Sequence, residues 1–164
     1  MTAQFKTNAV IKSSSSYILF SAPDGLFVVL KLSNMRITTI DHKGLKETAC
    51  NIPPNTPVVM LNLLRFKPDG GREIYYQQYI PSFQELTTKL QLEGIKLAWG
   101  GNVSGRLAIA DNEWWDDVLL VEYPDFASFL LIAESDGYRN DAEPFRLAAI
   151  DDCRLIPMVG FMKE

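Results

Sequence analysis

Histidine and cysteine are scarce in this 164-residue chain, which holds one histidine, His42, and two cysteines, Cys50 and Cys153. The thiols share no metal-ligand spacing with each other or with the histidine, so a metal centre has no support. Free thiols in a reducing compartment are the simplest reading. Charge of one sign is not concentrated anywhere. Sixteen basic and twenty acidic side chains give a net charge of -4. Without a basic block, a nucleic-acid partner lacks its electrostatic footprint. Long apolar runs are missing too. Pro23-Asp24-Gly25 breaks the stretch from Tyr17 to Leu32, and each half is too short to span a bilayer. The first residues contain no compact apolar segment of the signal-peptide kind. No phosphate-binding or dinucleotide fingerprint occurs. These absences lead to the expectation of a cytoplasmic protein with no cofactor, no metal and no membrane partner.

What is present suits one globular core, since 47% of residues are hydrophobic and 22% charged. The chain reads in two parts, 1–54 and 55–164. In the first, Tyr17–Phe20 and Leu26–Leu30 are short β-branched and aromatic runs joined by Pro-Asp-Gly turn chemistry. Met35–Ile40 reads as a third strand, giving a β-rich extension, with His42 in a polar loop after it. Asn51–Pro57 carries three prolines and reads as an extended linker.

The second part predicts alternating strands and helices. Val58–Phe66 is apolar apart from Asn62 and Arg65, as in a central strand covered on both faces. Pro68–Gly71 is a turn. From Arg72 to about Leu92 the residues Tyr76, Tyr79, Phe83, Leu86 and Leu90 form one helical stripe. Pro81 inside it predicts a kink or restart. Ile95–Ile109 alternates as a strand, and Gly100, Gly101 and Gly105 predict a bulge there. Trp114–Tyr123 reads as another strand. Asp125 is an N-cap for a helix from Phe126 to Glu134. A second helical piece spans Phe145–Ile150, and Asp151–Met158 is the last strand. The order β-α-β-β-α-β is that of the ferredoxin-like α+β sandwich. Its strands are apolar on both parities, while the helices cover one face. A second copy of the sheet would cover the other, which predicts a homodimer. The N-terminal strands are the competing cover.

Specific residues then point to a family. They are Val59–Phe66, Tyr76 and Tyr79, Trp99–Gly105, Trp115–Pro124, Phe129, Ser135, Tyr138 and Arg146–Ile156. Together this ordered set resembles an uncharacterised family of the dimeric α/β-barrel superfamily, over roughly the last two-thirds of the chain. The resemblance implies a ferredoxin-like fold, a dimer, and a ligand cleft between sheet and helices. The wider superfamily includes cofactor-free monooxygenases, haem proteins and muconolactone-type isomerases. Haem chemistry is disfavoured because no histidine lies in the family-like part.

Three residues stand out as candidates for catalysis. Asn62 is an amide in an apolar strand, either a structural hydrogen-bonding group or a polarising group in a cleft. Trp99 joins it by analogy with cofactor-free monooxygenases of the resembled superfamily. Glu122 shares a strand face with Val118 and Leu120, and reads as an ion-pair partner of Arg65 or Arg154, or as an acid or base. Arg65, Tyr76, Tyr79, Tyr138, Arg146 and Arg154 are polar-tipped residues in apolar stretches, suited to a small-molecule pocket. Ser135 has no triad partners. Two functions follow: a homodimer binding a small apolar or aromatic molecule, or a cofactor-independent monooxygenase or isomerase acting on an aromatic or lactone-like substrate.

Overall fold

A computed structural model describes residues 36–111 and 113–161, together with the backbone of two strands nearer the N-terminus. The chain divides into two compact units, Met1–Met35 and Arg36–Glu164. In the first, strands β1 (Tyr17–Ser21) and β2 (Phe27–Lys31) form an antiparallel hairpin. The Pro-Asp-Gly turn expected between them lies outside the described residues. The expected boundary at 54/55 falls inside the second unit.

The second unit begins where a third strand was expected. Residues 36–38 do not join a meander, and instead run beside the last strand of the chain. The Cys153 N–H donates to the Ile37 carbonyl at 2.8 Å, and the Ile37 N–H donates to Asp152 Oδ1 at 2.9 Å. An open sheet edge offers such unpaired groups to any extended segment, which outcompetes a lone third strand. His42, expected in a loop, opens helix α1 (His42–Asn51). The Asp41 carboxylate caps this helix by accepting from Lys43 N, and Leu45 is buried.

Strand β3 (Val58–Phe66) follows. The next helix comes in three pieces: α2 (Gly71–Ile74), a π-helical turn at Tyr75–Tyr79, and α3 (Ile80–Lys89). Pro81 therefore does not break the helix. A proline lacks an N–H and collides with the carbonyl four residues back, and the wider turn in front of it absorbs the mismatch. Strand β4 (Lys96–Asn102) is shorter than expected and ends before Val103. Strand β5 spans Asp117–Tyr123. Helix α4 (Phe126–Glu134) starts where its cap was expected, with Asp125 Oδ1 accepting from Ser128 N at 2.8 Å. A second π-turn at Tyr138–Ala142 leads into α5 (Glu143–Ala149), where Pro144 is again near the start. Strand β6 is Ile150–Met158.

The sheet is antiparallel with order β4-β5-β3-β6, the βαββαβ topology of a ferredoxin-like α+β sandwich. Val58, Met60, Leu64, Leu119 and Tyr123 face the helices. They pack against Tyr75, Tyr79, Leu86, Phe129 and Ile132 in one core. Gly71 lets α2 approach the end of α5, because a Cβ there would lie 2.4 Å from the Ala149 carbonyl oxygen. Among the described residues no helix is long and apolar enough to cross a membrane.

Candidate functional site

Alternation along β3 divides the expected site residues between two faces. Asn62 shares its parity with Val58, Met60 and Leu64, toward the helices. Arg65 shares parity with Val59, Leu61 and Leu63, on the opposite face. Pairing carries these assignments across the sheet. Asn62 pairs with Leu119 and Leu155, whereas Leu61 pairs with Leu120 and Ile156.

Between the helices and their face of the sheet lies a cavity of about 330 Å³. Asn62, Leu119, Val121 and Leu155 form its floor. Tyr75, Tyr79 and Phe83 come from the first helical stretch, and Phe129, Ala133, Tyr138 and Arg146 from the second. Exposed Gln84, Lys96 and Leu97 stand at the α3–β4 side of the wall. Four of the expected ligand-binding residues, Tyr76, Tyr79, Tyr138 and Arg146, line this cavity with Asn62. The π-turns are what deliver them. One turn carries Tyr75 to Tyr79, and the other runs from Tyr138 to Ala142, one helical turn before Arg146.

Arg146 is 5% exposed and makes no ion pair among the described residues. Its guanidinium donates to the Thr38 carbonyl and to the Cys153 thiol, the latter at 3.1 Å. Thr38 thus ties Arg146 to the segment that runs beside β6. Tyr138 is 3% exposed, and its hydroxyl stands beside that of Tyr79 without completing a hydrogen bond of ordinary geometry. Burial pushes the phenols of Tyr75, Tyr79, Tyr123 and Tyr138 up from their ordinary pKa, so they stay neutral hydroxyls. Burial likewise raises the Cys153 thiol. Asn62 Nδ2 donates to the carbonyls of Met60 at 3.0 Å and Leu119 at 3.3 Å, which fixes the amide in the cavity floor.

Tyr76 is turned to a separate task. Its hydroxyl donates to Asp117 Oδ2 at 2.8 Å, and Asp117 also accepts from Arg72 and from Asn102 Nδ2, the last at 2.7 Å. Asp117 is only 2% exposed. Its sequence signal is an aspartate at the start of a Val-Leu-Leu-Val run, the mark of a buried, partnered charge. Tyr75 is a further member of the site, and its signal is its place four residues before Tyr79, at helical spacing on the same stripe.

The remaining candidates do not reach this cavity. Trp99 pairs with Leu120 and is 54% exposed, on the far face of the sheet. The reason is a register shift between Leu97 and Trp99, which puts those two side chains on opposite faces. Glu122 lies on the same far face and pairs with Lys96 at 2.8 Å, rather than with Arg65 or Arg154. Arg65 and Arg154 instead converge on the Asp151–Asp152 pair. Arg65 donates to Asp151 at 2.9 Å and to Asp152 at 3.2 Å, and Arg154 donates to Asp152 at 2.6 Å. Arg65 also lies 4.3 Å from the Trp114 ring centre, and Arg154 4.9 Å from that of Trp115. Arg154 borders a second cavity, of about 270 Å³, between α1 and β6. Asn62, Trp99 and Glu122 therefore do not share one site. Ser135 caps the turn after α4, its hydroxyl accepting from Tyr138 N at 3.0 Å.

No protein-family model matches the chain, and no curated protein does. Two crystal structures of RPA0582 are similar to it. One, described as a protein of unknown function from Rhodopseudomonas palustris, is 27% identical, with 79% of this chain and 100% of that one covered and a TM-score of 0.65. The other, of methylated RPA0582, is 28% identical over 77% of this chain and 96% of that one, also with a TM-score of 0.65. A dimeric protein of unknown function with a ferredoxin-like fold, from Bacteroides fragilis, is 15% identical over 63% of this chain and 96% of that one, with a TM-score of 0.40. The βαββαβ sheet order makes the chain a ferredoxin-like protein, and RPA0582, the structure it is similar to, is described as a protein of unknown function, in keeping with the resemblance to an uncharacterised family.

Proposed function

We propose that residues 36–164 bind a small apolar or aromatic molecule in the cavity between sheet and helices. The observation that carries this reading is an apolar, tyrosine-lined cavity into whose wall the buried Tyr138 hydroxyl is built with no acceptor at ordinary hydrogen-bond geometry. A buried hydroxyl without a bond costs about 1–3 kcal/mol, and a ligand acceptor would remove that cost. The volume, about 330 Å³, lies in the range of small-molecule pockets. A cavity of roughly 150 Å³ holds benzene, so this one has room for about two rings. A thermal-shift screen of aromatic acids, phenols and quinones tests the reading. A compound at a hundred times its dissociation constant should stabilise the fold by about 2.7 kcal/mol. Absence of any shift across one- and two-ring compounds at millimolar concentration would count against it.

The binding unit is a homodimer in the same proposal. The sheet face away from the helices carries half-buried Val59, Leu61, Leu63, Val118 and Leu120, with Trp99 and Ile156 still 54% and 44% exposed. Monomeric proteins seldom leave an apolar patch of this kind open. Two such sheets packed face to face would bury on the order of 1,600 Å² in total, the area of a stable interface.

A further inference from the structure

We infer that the molecule held in this cavity is an organic carboxylate, its acid group accepting from the Arg146 guanidinium and the Tyr138 hydroxyl. This rests on the cavity-ligand reading above and adds the chemical class of the ligand. The charge inventory of the wall carries it. No aspartate or glutamate lines the cavity, while Arg146 does, and Lys96, at its edge, turns its ammonium to the far face of the sheet. Lys96 has its counter-ion in Glu122. Arg146 has none among the described residues, although it is the deeper of the two. A guanidinium offers five N–H donors. Here one bond goes to the Thr38 carbonyl and one to a thiol, a weak acceptor.

The neighbouring phenols do not supply the missing negative charge. Burial keeps Tyr75, Tyr79 and Tyr138 protonated, so they are donors near neutral pH. Tyr138 and Arg146 stand in one wall, on a π-turn and the helix that continues it, and both lack what a carboxylate has: acceptor oxygens and a negative charge. The remaining wall, with Phe83, Leu92, Leu119, Val121 and Phe129, fits an apolar or aromatic body. A neutral ligand would satisfy Tyr138 and leave Arg146 without a counter-charge, and a cationic ligand would meet like charge.

Calorimetric titration with matched pairs tests this: benzoate against benzamide, and 2-naphthoate against 2-naphthamide. The pairs share shape and differ in charge. The expected result is at least tenfold tighter binding of the acid in at least one pair. Tyr138→Phe should reduce that preference several-fold, and Arg146→Gln should abolish it. Arg146→Gln loses a bond to Thr38, so circular dichroism must first show it folded; if it is not, the wild-type ratio and Tyr138→Phe decide. Equal binding of acid and amide overturns the carboxylate inference and leaves the cavity-ligand reading standing. Binding of none of the four compounds overturns both. An acid preference that survives in Tyr138→Phe and in folded Arg146→Gln also overturns it, since the charge would then be read elsewhere.

Discussion

Tyr138 sets two requirements against each other that a stability measurement can separate. Its ring fills the core, and its hydroxyl sits buried beside Tyr79 with no hydrogen bond of ordinary geometry. Tyr138→Phe keeps the ring and removes the unsatisfied group. The ligand-free variant should be as stable as wild type or more stable by about 1 kcal/mol in urea titration, while ligand-induced stabilisation falls. A loss of more than about 1 kcal/mol would mean that the hydroxyl has a partner in the free protein. The tyrosines also fix the alkaline limit. Burial raises Tyr75, Tyr79, Tyr123 and Tyr138 above the ordinary value of 10.0, so the unfolded chain releases these protons first. Stability is then fully present below pH 10 and falls above it, by about 1.4 kcal/mol per pH unit for each tyrosine still protonated in the fold. Urea titrations between pH 8 and 11.5 should show a flat region and then this decline. Part of the candidate site was legible at this scale. Tyr76, Tyr79, Tyr138 and Arg146 were visible as polar tips in apolar stretches. Trp99 leaves the expected site because a bulge between Leu97 and Trp99 turns it to the far face, while Glu122 keeps the face it shares with Val118 and Leu120, which lies away from the cavity.

The elements show the same mixture. β3, α4 and β6 were legible because apolar runs, a good cap and an apolar stripe coincide in them. Asp125→Ala should cost about 0.5–2 kcal/mol in urea titration, since Asp125 holds both the N–H and the hydroxyl of Ser128. An unchanged midpoint would show that this cap contributes nothing. Pro81 predicts a kink or restart by local rules, yet it follows a π-turn that accommodates it, and Pro144 follows a second such turn. α1 was missed because its sequence, HKGLKETACN, is mostly polar. Its signals are the Asp41 cap, the spacing of Leu45 and Ala49, and the Lys43–Glu47 pair at 3.6 Å. The expected third strand failed for a non-local reason: the edge of β6, over a hundred residues later, offered residues 36–38 better partners.

For the whole molecule, the fold divides labour between the two faces of one sheet. The face toward the helices holds the cavity, and the other holds the apolar surface assigned to the dimer. Leu61 is central on that second face, between Leu120 and Ile156 on its neighbours. Leu61→Glu should convert a dimer into a folded monomer in light scattering at micromolar concentration, because a charge in that interface loses its water without gaining a partner. A monomeric wild type would contradict the dimer. The cavity is the central claim, and an amide ¹H–¹⁵N titration with the best compound from the thermal-shift screen tests it most directly. Shifts should concentrate at Tyr75, Tyr79, Ala133, Tyr138 and Arg146, which line the cavity from two helices. Shifts confined to Val59, Leu61, Val118 and Leu120, on the other face of the sheet, would contradict it.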